Sequence, residues 1–154
     1  MSRLLGIDPG DQRVGLAVSD EEGRIAFPFA IIERRGRGLD WTARQIAEHA
    51  RQRNVEGLIV GLPLNMDGSF GPQAVKARAL GRRVAEAAGL PLQFWDERLS
   101  SFIAESRLTT VSPRRGRRSD DVAAAVILQS YIDATAGQTA GATGVGDQPM
   151  DEVE

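Results

Sequence analysis

The chain has no cysteine and a single histidine, His49, among its 154 residues. Disulfides, thiolate nucleophiles and thiolate metal ligands are therefore excluded, and one histidine cannot build a multi-histidine metal centre within one chain. His49 falls in a helical pattern beside Glu48, Arg51 and Arg53, where a lone histidine is expected to be a solvated surface residue. Aromatic residues are scarce as well: Trp41, Trp95, Tyr131 and five phenylalanines poorly support a stacking platform for single-stranded nucleic acid. No apolar run approaches the roughly 20 residues of a membrane span. The N-terminus meets the charges of Arg3 and Asp8 before a signal-peptide core could form, so a cytoplasmic location without membrane contact is expected. Any catalysis is left to carboxylates, hydroxyls, arginine or the one lysine, Lys76.

What is present is enough for one domain with a real core and not comfortably enough for two. The formal charge of −2 is unevenly spread. The final stretch, 137–154, holds Asp147, Asp151, Glu152 and Glu154 and no base, whereas the stretch from Arg98 to Arg118 holds six arginines against one acid, Glu105. The tail from Ala136 is rich in Gly, Ala and Thr and is expected to be a disordered acidic segment, 136–154, behind a folded domain of residues 1–135.

Hydrophobic periodicity organises the domain. Leu4–Asp8, Arg13–Ser19 and Arg24–Ile32 are predicted as three successive antiparallel strands, joined by turns at Pro9-Gly10-Asp11 and Asp20-Glu21-Glu22-Gly23. In the second, Gly15 and Ala17 are small enough to lie beneath a packed helix. Leu39–Arg53 has helical spacing. Gly57–Leu62 is a continuous apolar run suited to a strand buried on both faces, and Gln73–Ala88 is a helix with Pro72 at its start and Gly89 past its end. A short strand at Leu92–Trp95 and helices at Ser100–Leu108 and Ser119–Thr135 complete the order βββαβαβαα. That order predicts an α/β fold with a mixed five-stranded sheet, parallel at its centre, and helices on its faces.

Ligands of parallel sheets gather beyond the carboxyl ends of the strands, and acids stand at three such places. Asp8 ends the first strand, Asp96 and Glu97 end the last, and Asp120 and Asp121 open a helix whose run Val122–Leu128 is apolar nearly all round and must be buried. Converging carboxylates repel unless a cation joins them. Hard oxygen donors suit Mg²⁺ or Mn²⁺, and two such ions can activate a water and stabilise the leaving oxygen of a phosphoryl displacement without help from His or Cys. Each acid also has a plainer reading: Asp8 as a turn former, Asp96 and Glu97 as surface partners of Arg98, and Ser119-Asp120-Asp121 as an ordinary helix start. On geometry alone the two sets of readings are evenly matched.

The loop Pro63-Leu64-Asn65-Met66-Asp67-Gly68 leaves a buried strand at the same predicted edge and is either a structural turn or a substrate-contacting loop through Asn65. The run Pro113-Arg114-Arg115-Gly116-Arg117-Arg118 abuts Asp120. It is either a solvated loop or a grip on a phosphate backbone through counterion release. The segment Gly6-Ile7-Asp8-Pro9-Gly10 followed by Arg13-Val14-Gly15 also resembles the phosphate-gripping hairpins of actin-like ATPases and sugar kinases, although the second lobe that encloses nucleotide in such proteins is missing.

These residues together resemble the YqgF/RuvX family. The likeness is carried in order by Gly6–Gly10 with Arg13–Asp20, by Val60–Gly68, by Asp96-Glu97-Arg98-Leu99-Ser100, and by Asp120 with Ala123-Ala124 and Ile127-Leu128-Gln129, spanning about residues 3–135. It implies an RNase H-like fold related to Holliday-junction resolvases and a nuclease acting at the 5′ end of pre-16S rRNA during ribosome maturation. It also implies that Asp8, Glu97 and Asp120 are catalytic, metal-binding carboxylates. Asp11 departs from the pattern, an acid where a small hydroxyl residue is expected, and would place an extra charge near the site. Asp121 adjoins Asp120, but the spacing to Gln129 favours Asp120 as the metal-facing member.

The expectation is a hydrolase in which these three acids hold Mg²⁺ or Mn²⁺ while Arg13, Arg98 and Arg114, Arg115, Arg117 and Arg118 steady the phosphates. Branched DNA is the alternative substrate. A non-catalytic factor bound to nucleic acid or to ribosomal precursor particles is the alternative of another class. Monomer and homodimer both remain open.

Overall fold

A computed structural model describes residues 2–99 and 119–136. Five strands are present: β1 (Leu4–Asp8), β2 (Arg13–Ser19), β3 (Ala26–Glu33), β4 (Gly57–Leu62) and β5 (Leu92–Asp96). Three helices accompany them, α1 (Leu39–Gln52), α2 (Pro72–Ala88) and α3 (Asp120–Ala136), with a 3₁₀ turn at Glu97–Leu99. The strand order is β3-β2-β1-β4-β5. β1, β2 and β3 pair antiparallel, while β4 lies parallel to both β1 and β5. This is the mixed sheet that the order of elements predicts.

The ends of the elements follow from local chemistry. β3 starts at Ala26 rather than Arg24 because the carboxylate of Asp20 accepts the backbone N–H groups of Arg24 (2.7 Å) and Ile25 (3.2 Å) and holds both in the turn. β5 runs one residue further than expected, since Asp96 is still in register with Leu62. α2 begins with Pro72 and stops at Gly89, whose φ of 69° is the left-handed conformation that ends helices. The expected helix Ser100–Leu108, the arginines at 114, 115, 117 and 118, and the tail from 137 lie outside the described residues.

The sheet divides the core in two. On one face Leu5, Ile7, Val14, Leu16, Leu58 and Val60 pack with Ile46 of α1 and Leu80 and Val84 of α2. On the other, Ala17, Ala26 and Ile59 pack with Val122, Ala125 and Leu128 of α3. β4 contributes to both and is buried throughout. α3 buries nine of its residues, as its all-round apolar sequence requires. One of them is Gln129, fully buried, which accepts the Ala26 N–H at 2.9 Å and donates to the carbonyl of Arg24 (3.0 Å) and the carboxylate of Asp133 (3.1 Å). Those bonds fix where α3 sits along the sheet.

His49 differs from the solvated reading. It is half-buried, edge-on to Phe29 of β3 with ring centroids 5.3 Å apart. Burial, followed by the charge of Arg53, lowers its pKa.

α3 can lie so close because β2 is thin beneath it. A methyl group at Gly15 would strike the backbone carbonyl of Asp120 and lie 3.0 Å from the amide nitrogen of Asp121. Both obstacles are main chain, so the helix itself must shift. Gly15→Ala is accordingly expected to lower unfolding free energy by about 1–3 kcal/mol in urea denaturation. Wild-type stability in that variant would mean that α3 is not seated on β2 as described.

Candidate active site at the carboxyl edge of the sheet

Of the acids singled out in the sequence, Asp8, Glu97 and Asp120 arrive at one end of the sheet on the α3 face, while Asp96, in register with Leu62, lies at the same end on the opposite face. A methyl group at Gly6 would point at Leu128 and Ala124 of α3, so Asp8, two residues further along β1, lies on that face too. Asp8 is in register with Gly15 of β2. On its other side the parallel register Ile7↔Val60 puts Gly61 of β4 next in line. Both flanking residues are glycines, and both are roofed by acids. Asp120 begins α3 above Gly15, and a methyl group at Gly61 would come within 2.8 Å of a carboxylate oxygen of Glu97. Asp8, Glu97 and Asp120 therefore surround one three-strand strip whose flanking positions carry no side chain.

Glu97 is fixed by its neighbours. The Asp96 side chain is 5% exposed, and the Arg98 guanidinium grips it with Nε at 3.0 Å and Nη2 at 2.6 Å. The backbone N–H of Arg98 donates to the same carboxylate at 2.9 Å. Burial would raise the Asp96 pKa, but these hydrogen bonds and the Arg98 charge outweigh it and hold the carboxyl below its usual range. Ser130 of α3 donates to the carbonyl of Leu99 (2.9 Å) and accepts the indole N–H of Trp95 (3.2 Å). The turn bearing Glu97 is thus held at both ends.

Arg98 also donates through Nη1 to the carbonyl of Met66 at 2.9 Å, which ties the β4–α2 loop to the same edge. Within that loop Asn65 donates its side-chain amide to Ser69 Oγ (2.9 Å), and Asp67 accepts both the N–H (3.0 Å) and the hydroxyl (2.6 Å) of Ser69. Those two bonds lower the Asp67 pKa. Asn65 and Arg98 accordingly brace the loop that borders the acids.

Asp120 and Asp121 divide their work. Asp121 accepts the Ser119 hydroxyl (2.6 Å) and the Val122 N–H (2.9 Å), serving the helix start. Asp120 instead accepts from Arg13 Nε at 2.8 Å, across to β2. Asp11 is turned away from this group: its carboxylate meets Gln73 (3.2 Å) and Lys76 (3.4 Å) of α2, across the sheet from α3. The bond from Gln73 is the largest influence lowering its pKa, despite some desolvation. The extra acid thus ties the hairpin to α2. A cavity of about 470 Å³ at the opposite pole, between the ends of α1 and α2, holds none of these acids.

The donor set suits a hard divalent cation: carboxylate oxygens from three elements over a floor with no Cβ at Gly15 or Gly61. In this structure, no three acidic or histidine side chains among the described residues are gathered closely enough to ligate one ion, and Asp120 is committed to Arg13.

A family model described as "RuvX: Holliday junction resolvase" matches residues 2–134. The chain belongs to the RuvX family. A relative from Anaeromyxobacter dehalogenans named "Putative pre-16S rRNA nuclease" is 51% identical over 134 residues, covering 85% of this chain and 96% of the relative. A relative of the same name from Symbiobacterium thermophilum is 42% identical over 139 residues, 88% and 95% of the two chains. Among solved structures, "T. thermophilus RuvC in complex with Holliday junction substrate" superposes with a TM-score of 0.65 at 18% identity, covering 90% of this chain and 98% of that one. The RuvX chain thus has the RNase H-like fold of that resolvase. None of its described helices is long and apolar enough to cross a membrane.

Sequence reading gives the Asp96–Arg98 pair as a surface contact but misses its burial, its link to Met66 and the Ser130 anchor, because these depend on contacts between distant segments. The glycine strip is partly visible in the sequence through Gly15, whereas Gly61 is hidden within the apolar run of β4.

The depressed Asp96 pKa has a definite sign. Its contribution to stability is present above the unfolded carboxyl value of about 4 and is lost as pH falls through the lower folded value. Asp96→Asn is expected to flatten the acid limb of a stability–pH profile and to cost roughly 1–2 kcal/mol at neutral pH, solvent screening of Arg98 included. An unchanged acid limb, read by urea unfolding between pH 3 and 7, would show that the brace is not ionic.

Proposed function

We propose that this chain is a metal-dependent nuclease that trims the 5′ end of pre-16S rRNA, with Asp8, Glu97 and Asp120 as its catalytic carboxylates. Phosphodiester hydrolysis is supported by membership of the RuvX family and by relatives named as nucleases. The RNA substrate is supported by the same names. The observation that carries the site assignment is the strip Gly15–Asp8–Gly61, roofed by Asp120 on one flank and Glu97 on the other.

Asp8, Glu97 and Asp120 would hold Mg²⁺ or Mn²⁺, which supplies Lewis acidity toward the attacking water and the leaving oxygen. Asp8 anchors the centre from the rigid middle of the sheet. Glu97 enters from the braced turn after β5, and Asp120 from the start of a buried helix. Arg13, at the flank of the strip, and Arg114, Arg115, Arg117 and Arg118 in the chain just ahead of Asp120 neutralise the phosphates of the substrate. Asn65 and Arg98 present the loop that borders its path. The working unit is the domain of residues 1–135 in the cytoplasm, acting on free precursor RNA or on precursor particles as monomer or homodimer.

A second reading, cleavage of a four-way DNA junction, is favoured by the family description and by the resolvase fold. The two are separated by incubating labelled pre-16S rRNA fragment and four-way junction with Mn²⁺, in parallel with EDTA controls. Cleavage of the RNA is expected, abolished by EDTA. Asp8→Ala, Glu97→Gln and Asp120→Asn should each lower the rate by at least the order of 10–100-fold that even outer partners of a metal site command, with the fold retained. Full activity in Asp8→Ala would remove the assignment, and cleavage of the junction alone would replace the substrate. RNA binding that survives EDTA, with no cleavage in any divalent metal, would leave a binding factor instead of an enzyme.

A further inference from the structure

Arg13 stands in two places at once in the scheme above. It flanks the strip where phosphate would lie, yet its Nε is bound at 2.8 Å to Asp120 Oδ2. If Asp120 is a metal ligand, as proposed, that bond occupies one of its oxygens with a resident cation. We propose that Arg13 is the counter-ion of the metal-free centre, exchanged when a divalent ion enters: the ion takes Asp120, and the released guanidinium turns to a phosphate of the substrate.

Three observations carry this. The first is that the acids are assembled by the backbone before any ion is present: β1 delivers Asp8, the braced turn delivers Glu97, and Gln129 pins the helix that delivers Asp120. Carboxylates brought together in this way repel one another unless a positive group lies among them. The second is that the described acids nonetheless do not close around a common point, while Asp120 is bound across to Arg13 on β2. The neighbouring Asp121 is engaged with Ser119 and Val122 and does not compete for Arg13. The third is that the pair is shallow enough to exchange. The Arg13 and Asp120 side chains are 50% and 38% exposed, so their bond is screened, and it runs through a single nitrogen, Nε to Oδ2. Arg98, in contrast, holds its nearly buried partner through two nitrogens of the guanidinium together with its own backbone N–H. The two arginines of the edge therefore differ in kind: Arg98 is built in, and Arg13 is displaceable.

An exchange of this sort makes metal and substrate binding mutually reinforcing, because whatever draws Arg13 off Asp120 frees the carboxylate for the ion, and the reverse. It also predicts that removing Arg13 improves metal binding while depriving the substrate of a phosphate contact. A purely structural or purely substrate-binding arginine would not produce the first effect.

The test is titration of the full-length protein with Mn²⁺ alone, without nucleic acid, followed by calorimetry and by the electron-spin signal of free Mn²⁺. Arg13→Gln is expected to bind Mn²⁺ roughly three- to tenfold more tightly than wild type, the range that releasing an exposed ion pair of about 1 kcal/mol allows. Asp120→Asn should weaken binding, and Arg13→Gln should bring no improvement in its presence. Binding by Arg13→Gln that is equal to or weaker than wild type overturns the exchange while leaving the metal site intact. Mn²⁺ binding undiminished in both Asp8→Asn and Asp120→Asn overturns the metal site itself. No binding by wild type or Arg13→Gln overturns both. Melting of Arg13→Gln in EDTA checks that the fold is retained, which the exposure of this side chain leads us to expect.

Discussion

Negative charge crowds one end of this sheet. Asp8, Asp96, Glu97, Asp120 and Asp121 all arrive there, delivered by the ends of two strands and the start of a helix. Like charges at close range in a partly desolvated setting cannot be tolerated without compensation, and the edge supplies it in three ways. Arg98 neutralises Asp96 in a nearly buried bond. Asp121 is absorbed by the helix start through Ser119 and a backbone N–H. Asp120 leans on Arg13. The rest of the architecture can be understood as what holds this repulsive group in place: a rigid central strand, glycines that admit the acids from above, and a buried glutamine that stops α3 from sliding away.

Rigidity and adjustability are distributed unequally around that end. β1 and β4 are central strands with partners on both sides, so Asp8 cannot move without disturbing the core. The turn that carries Glu97 is anchored through Arg98 to the β4–α2 loop and through Ser130 to α3. Asp120 has freedom in its side chain and none in its helix.

Much of the scaffold was legible in the letters, because strands and helices obey simple periodicities. β1, β2 and β4 have the bounds that their alternation and apolar runs imply, and Pro72 and Gly89 mark α2 as they should. The reading of Gly15 and Ala17 as a floor for a helix agrees with where α3 lies. The misses are of one kind. The start of β3 was misread because Asp20 recruits two backbone amides, His49 because Phe29 folds over from β3, and Asp11 because Lys76 and Gln73 wait on α2. In each case a specific partner decided the outcome, local for β3 and tertiary for His49 and Asp11, and periodicity contains no information about partners. The acids show the same division: their location at a strand or helix end is local and was readable, whereas what each carboxylate touches was not.

Arg13 and Asp120 lie 107 positions apart, and the helix that begins at Asp120 is the last described element to be synthesised. Until it docks on β2, the strip between Gly15 and Gly61 has no roof on the Gly15 flank. A chain still emerging from the ribosome therefore carries the first carboxylate for nearly its whole translation without the group that would complete the set. On the proposed assignment of Asp120, the late helix acts as a safety catch, so that cutting power waits until the chain has been made past α3.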